Sequence, residues 1–238
     1  MFHPNGPSFF ELVRQAVSST ERGYDLLADK FEYTPFRTPD EILVPTIEAL
    51  TQDRPVEAAL DICCGTGAAM AHLHQVCTKR LVGIDFSQGM LAEARARVGG
   101  AEGLVTPEFV CGDVLSMDFR ECFDLAVCFG AQGHILPRDE GTFLERIHGA
   151  LAPGGRYAFV TSEHPPKRSL GNILSRLFNA GMHVRNAVLK PEFVMYYLTF
   201  LLPEAKTQLE EQGFEVEVRS GLFDAPFGSV KLVIATRK

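Results

Sequence analysis

The chain has 238 residues, of which 46% are apolar and 22% charged, the proportions of an ordinary globular protein with room for one α/β domain and a sizeable core. Its formal charge of −7 argues against a broadly nucleic-acid-binding surface, which is usually basic. Six cysteines, at positions 63, 64, 77, 111, 122 and 128, include no Cys-x-x-Cys pair and no disulfide-framework spacing, so they read as reduced thiols of a cytoplasmic protein.

Met1 to Pro7 reads as a loose tail without the basic-then-apolar pattern of a signal peptide, and no apolar run reaches the ~18 residues a membrane span needs. A helix is expected from Ser8, with Glu11 three residues on to complete a capping box. Tyr24 to Phe31 is a second amphipathic stretch, followed by a proline-containing break at 34–39. Pro39-Asp40-Glu41 opens a helix through Leu50, its two acids favouring the helix dipole. Residues 8–50 thus form a helical cap.

After Pro55, strands and helices alternate. Val56 to Ile62 reads as a strand, Ala68 to Cys77 as a helix, Leu81 to Ile84 as a strand and Ser87 to Val98 as a helix ended by Gly99-Gly100. Strands follow at Glu108 to Cys111 and Phe123 to Phe129. A helix over Asp139 to Leu151 is stopped by Pro153-Gly154-Gly155, and a fifth strand runs from Arg156 to Thr161. Such alternation predicts an α/β fold, a parallel sheet with helices on both faces, over 56–161. An insert at 162–202 interrupts the rhythm. In it Leu170, Ile173, Leu174, Leu177 and Phe178 fall at helical spacing, and Glu192 to Leu202 reads as extended. In 203–238, Pro203 opens a helix ending at Gly213. The strands Phe214 to Arg219 and Lys231 to Thr236 have no helix between them, so they are expected as an antiparallel pair.

The chemistry concentrates at strand ends. Asp61-Ile62-Cys63-Cys64-Gly65-Thr66-Gly67 links the first strand to a helix whose free N–H groups face the turn, and its glycines let the backbone approach a ligand. The second strand ends at Asp85, placed to accept from ribose hydroxyls. The third ends at Gly112-Asp113, placed to accept from an adenine amino group. Three acids at neighbouring strand ends repel one another, which a cationic ligand relieves and the phosphates of NAD do not.

With these motifs the chain resembles the class I, Rossmann-like S-adenosylmethionine-dependent methyltransferases of small-molecule type over roughly Tyr24 to Lys238. The likeness lies in Asp61-x-Cys63-x-Gly65-x-Gly67, in Gly83-x-Asp85-x-Ser87-x-x-Met90-Leu91, in Gly112-Asp113, in Phe123-Asp124 and in Leu151-Ala152-Pro153-Gly154-Gly155. The resemblance implies one domain with a seven-stranded sheet, its last strand antiparallel. It also implies S-adenosylmethionine as cofactor and no metal. Asp85 resembles the ribose-binding acid, Phe86 and Met90 the adenine neighbours, Asp113 the adenine-amino acceptor and Val114 its apolar neighbour. Phe129 and Gly130 match positions near the reactive methyl. Tyr24 is similar to a residue of an N-terminal helix that closes over the cofactor. Cys63 departs from the pattern, which has glycine there, and reads as a tolerated small residue beside the methionine moiety.

Holding an acceptor atom against the methyl carbon supplies roughly 7–11 kcal/mol of the barrier, and a hydroxyl acceptor gains further from a general base. His134, just past the fourth strand, is the candidate base, and His164 has a weaker claim. The insert segment 165–190 has five Lys or Arg and no acid, so it reads as a lid over the acceptor, a covering helix or a peripheral membrane contact. The acceptor is expected to be a small molecule and not nucleic acid. The alternatives are a methyltransferase acting on RNA or protein and a non-catalytic cofactor-binding protein of the same fold. An NAD oxidoreductase fails on Met70, which stands where its fingerprint has a third glycine.

Overall fold

The computed structural model describes residues 3–100 and 103–238; Met1 and Phe2 of the expected tail lie outside them. Ser8 caps α1 (Phe9–Ala16), and the capping box with Glu11 forms in full. Ser19 caps α2 (Thr20–Asp25), and a 3-10 helix covers Ala28–Tyr33. The stretch expected as one element from Tyr24 to Phe31 is therefore divided at Leu26 and Leu27, and the Asp25 carboxylate at the end of α2 accepts from Ser87 Oγ (2.6 Å) and Gly89 N (2.9 Å). Pro39 opens α3 (Asp40–Asp53).

Seven strands follow: β1 (Val56–Ile62), β2 (Cys77–Asp85), β3 (Glu108–Cys111), β4 (Phe123–Val127), β5 (Leu151–Thr161), β6 (Phe214–Arg219) and β7 (Lys231–Arg237). They form one sheet in the order β3-β2-β1-β4-β5-β7-β6. Only β7 runs against the rest, pairing antiparallel with both β5 and β6. The order reverses between β2-β1 and β4, the switch point beside which open α/β sheets bind ligands.

Alternation along each strand divides the core in two. Leu60, Ile62, Val82, Ile84, Ala126, Tyr157 and Phe159 face α6 (Glu140–Ala150) and α8 (Glu204–Glu211), meeting Phe143, Leu144, Ile147 and Leu209. Ala59, Leu81, Leu125, Val127 and Ala158 face α3, α4 (Ala68–Leu73) and α5 (Gln88–Val98), meeting Ile42, Leu50, Met70, Leu73 and Leu91. Asp124, of the Phe-Asp motif, accepts from Glu57 N and Ala58 N, both at 2.9 Å, and so fastens β4 to β1.

Several boundaries differ from expectation: β4 ends at Val127, not Phe129, and α3 runs on past Leu50. α4 ends at Leu73, not Cys77, since His74 turns its Nε2 to the Val105 carbonyl (2.6 Å) and Cys77 already pairs with Val56 as the first residue of β2. β5 begins at Leu151 because Leu151 pairs with Phe123 and Arg156 with Leu125, so the Pro-Gly-Gly segment bulges inside the strand instead of preceding it. Residues 192–202 form no strand; Leu198 and Phe200 have φ of 59° and 53°, and pairing is confined to a bridge between Glu163 and Leu202. The insert helix, α7, spans Leu170–Val188.

Candidate functional site

Asp61 and Asp85 stand on adjacent strands in the same phase of the pleat, so both carboxylates point to the α4–α5 side at the carboxyl ends of the strands. Register sets Asp61 opposite Gly83, where an added Cβ would meet Met70 Sδ at 2.3 Å, which is why that strand carries glycine there. Asp85 accepts from Gly65 N and Ser87 N, each at 2.9 Å, and so holds the turns that follow β1 and β2. Asp61 Oδ2 is buried with no hydrogen-bond partner among the described residues. Burial, then the nearby Asp85, pushes the Asp61 carboxyl up to about 8. Burial likewise raises Asp85.

The turn between β1 and α4 has three left-handed residues, Cys63 (φ 54°), Gly65 (52°) and Gly67 (77°). Position 63 thus favours glycine for its backbone as well as its size, which smallness alone does not convey. The neighbouring Cys128 thiol, then desolvation, raises the pKa of this half-buried side chain, so it stays protonated and is no nucleophilic thiolate. The two glycines serve different ends. A Cβ at Gly67 would lie 3.1 Å from Ala94 Cβ and 3.2 Å from its Cα, whereas one at Gly65 would meet nothing within 4 Å. Gly67→Ala is therefore expected to cost about 2–3 kcal/mol of stability. Gly65→Ala should cost only about 1 kcal/mol while placing its methyl in the space a ligand needs. Urea unfolding separates the two.

Gly65 opens onto a cavity of about 300 Å³. Its lining includes nine of the expected cofactor-side residues, Tyr24, Asp61, Cys63, Gly65, Asp85, Phe86, Met90, Phe129 and Gly130, together with the candidate base His134. Gly67, Gly112, Asp113 and Val114 are not in its wall. Asp113 turns back to accept from Leu115 N (2.9 Å), capping its own 3-10 turn, so the acids that share the cavity are two and not three.

The N-terminal cap forms the opposite wall through Tyr24, Phe31, Phe36 and Arg37. It is latched to the sheet at three places. Asp25 holds the start of α5, as above. Glu32 accepts from Thr66 Oγ1 (2.5 Å) and pairs with Arg37 (2.9 Å) and Arg97 (2.6 Å). Tyr24 Oη lies 2.7 Å from His134 Nε2. His134 Nδ1 lies 2.5 Å from the Val194 carbonyl, which only accepts, so Nδ1 carries the hydrogen and Nε2 receives the Tyr24 hydroxyl. Burial lowers the His134 pKa and leaves the ring neutral. Burial, then Asp85, raises that of Tyr24, which keeps its proton.

A second cavity, of about 230 Å³, adjoins the first and shares Gly130, His134, Met195 and Tyr197 with it. Tyr196 and Phe200 add aromatic faces. His164 lies outside both and pairs with Glu204 at 2.8 Å. Asp25, Glu32, Thr66, Val194 and Tyr197 escaped the sequence reading. Each acts on a residue far along the chain, and only Thr66 stands in a motif, the turn from Asp61 to Gly67, where its spacing says nothing of Glu32.

Residues 59–155 match the sequence model of a family described as "Methyltransferase domain". The chain is 32% identical over 113 residues to a demethylmenaquinone methyltransferase of Oceanobacillus iheyensis, covering 46% of each chain. It is 28% identical over 172 residues to a ubiquinone biosynthesis O-methyltransferase of Nitrobacter winogradskyi, covering 71% of this chain and 60% of that one. The aligned parts thus span about half the length of these relatives. The fold is that of the magnesium protoporphyrin IX methyltransferase of Synechocystis, solved with bound SAH, at TM-score 0.62 and 18% identity, covering 97% of this chain and 94% of that one.

Proposed function

With its residues 59–155 belonging to the class I, Rossmann-like methyltransferases, we propose that the chain binds S-adenosylmethionine in the larger cavity and catalyses in-line transfer of its methyl group to a small molecule in the smaller one. The observation that carries this reading is the pair of cavities meeting at Gly130, His134, Met195 and Tyr197. The smaller volume favours a small acceptor over RNA or protein.

The residues present fit the cofactor. Asp61 offers a buried carboxylate oxygen with no partner among the described residues, the group an ammonium would neutralise. Asp85, fixed by two backbone N–H groups, keeps lone pairs for ribose hydroxyls. Phe86 and Met90 give apolar faces for a base. When bound, S-adenosylmethionine supplies a methyl group already activated by a sulfonium. This chain's part is to orient the acceptor and to move a proton. The Tyr24 oxygen takes a proton from a hydroxylated acceptor as Tyr24 passes its own to His134 Nε2, and Val194 fixes the ring that receives it.

In a thermal melt S-adenosylhomocysteine is expected to raise the melting temperature and NAD to leave it unchanged; the reverse result would overturn the reading. Asp61 gives a second test. Its pKa in the fold, about 8, lies above the unfolded 3.8. The native state therefore holds a proton that the unfolded chain has lost, and this costs stability progressively as pH rises from 4 to 8. Asp61→Asn is expected to melt higher than the parent at pH 8, to match it near pH 4, and to bind S-adenosylhomocysteine more weakly. Equal melting at both pH values would mean that Asp61 titrates normally.

A further inference from the structure

The insert helix α7 is amphipathic in the inverted sense. Asn172, Asn179 and Asn186 recur every seven residues, which is two helical turns, so they fall on one line. All three are spent inward. Asn172 Nδ2 donates to the Pro165 carbonyl (3.2 Å), Asn179 is bonded in both directions to Tyr197, and Asn186 to Phe193. The opposite line carries Leu170, Ile173, Leu174, Leu177, Val184 and Val188, all exposed, with Leu174 at 55% and Leu177 at 64%. An exposed apolar stripe of this length marks an interaction surface. Arg185 donates to Ala16 O and Ser18 O and so sets the end of α1, with its exposed Phe9 and Phe10, beside it.

We propose that this face docks on an anionic lipid bilayer. Charge selects that partner. Segment 165–190 holds Lys167, Arg168, Arg176, Arg185 and Lys190 and no acid, in a chain whose net charge is −7. Lys167 and Arg168 are exposed at the start of the apolar stripe, and Arg176, also exposed, donates to Asn172 Oδ1 (2.7 Å). A second copy packed stripe to stripe would bring like charges together with no acid in the segment to pair them. Anionic headgroups meet them instead, and the apolar stripe enters the headgroup–acyl boundary with the helix lying flat. No helix among the described residues is long and apolar enough to cross a membrane, so the contact is peripheral. The same helix anchors, through Asn179 and Asn186, the segment whose Tyr196 and Tyr197 line the smaller cavity.

The test is co-sedimentation of the full chain with vesicles. It is expected to pellet with vesicles of equal parts phosphatidylglycerol and phosphatidylcholine, and far less with phosphatidylcholine alone. Lys167→Glu with Arg168→Glu should weaken the anionic binding about thirtyfold or more. Leu174→Glu with Leu177→Glu should abolish it. These side chains are exposed, so an unchanged melting temperature certifies that the variants fold. Failure to pellet with anionic vesicles, or equal pelleting with both kinds, overturns the proposal. A self-associating chain made monomeric by Leu174→Glu with Leu177→Glu would also overturn it and assign the face to a second copy.

Discussion

Replacing Asp85 with alanine is expected to weaken binding of S-adenosylhomocysteine about a hundredfold or more, as measured by titration calorimetry, since hydrogen bonds to a charged acceptor contribute about 1.5–3 kcal/mol each. The loss has two sources. The ribose hydroxyls lose their carboxylate. The two N–H groups that Asp85 holds, of Gly65 and Ser87, lose their acceptor as well, so the turns on either side of the cavity loosen together. Unfolding should therefore also register the change, by about 2–4 kcal/mol. Asp85→Asn keeps an acceptor oxygen and should retain part of both. Affinity that is unchanged in Asp85→Ala would mean that the ribose is held elsewhere.

Tyr24→Phe is expected to lower kcat for a hydroxylated acceptor about a hundredfold or more, the usual worth of positioned proton transfer, while changing S-adenosylhomocysteine affinity only a few-fold. The phenol is oriented by rings on several sides, with Phe31 at 5.9 Å, Phe86 at 6.4 Å and Phe193 stacked at 6.4 Å, so its removal leaves the wall in place. If Tyr24 and His134 act as one relay, His134→Gln should cost a similar factor, and the double variant little more than either single one. Additive losses would show that the two act independently. A labelled-methyl screen of candidate metabolites supplies the acceptor for this assay.

Much of the frame is legible because it is local. The capping box at Ser8 and Glu11, the span of β1 from Val56 to Ile62 and the closing antiparallel pair follow from neighbours in sequence. What escapes is set by distant partners or by backbone geometry. The Pro-Gly-Gly segment reads as a stop, yet pairing of Leu151 with Phe123 draws it into β5. Asp113 has the spacing of a ligand contact, and one of its oxygens also caps its own turn. Cys63 reads as a small residue, and only the backbone reveals its left-handed conformation. The apolar periodicity of α7 is plain, but whether that face looks inward or outward depends on where its three asparagines find partners.

The latches of the N-terminal cap bear on time as well as place. Glu32 and Asp25 fasten the cap to the same two turns, at Thr66 and at Ser87, that border the ligand. These contacts hold the cap residues that wall the cavity. The dwell time of a cofactor bound behind that wall is expected to depend on the latch as well as on the groups that grip it. Added salt, which screens the partly exposed Glu32 pairs, is expected to hasten exchange.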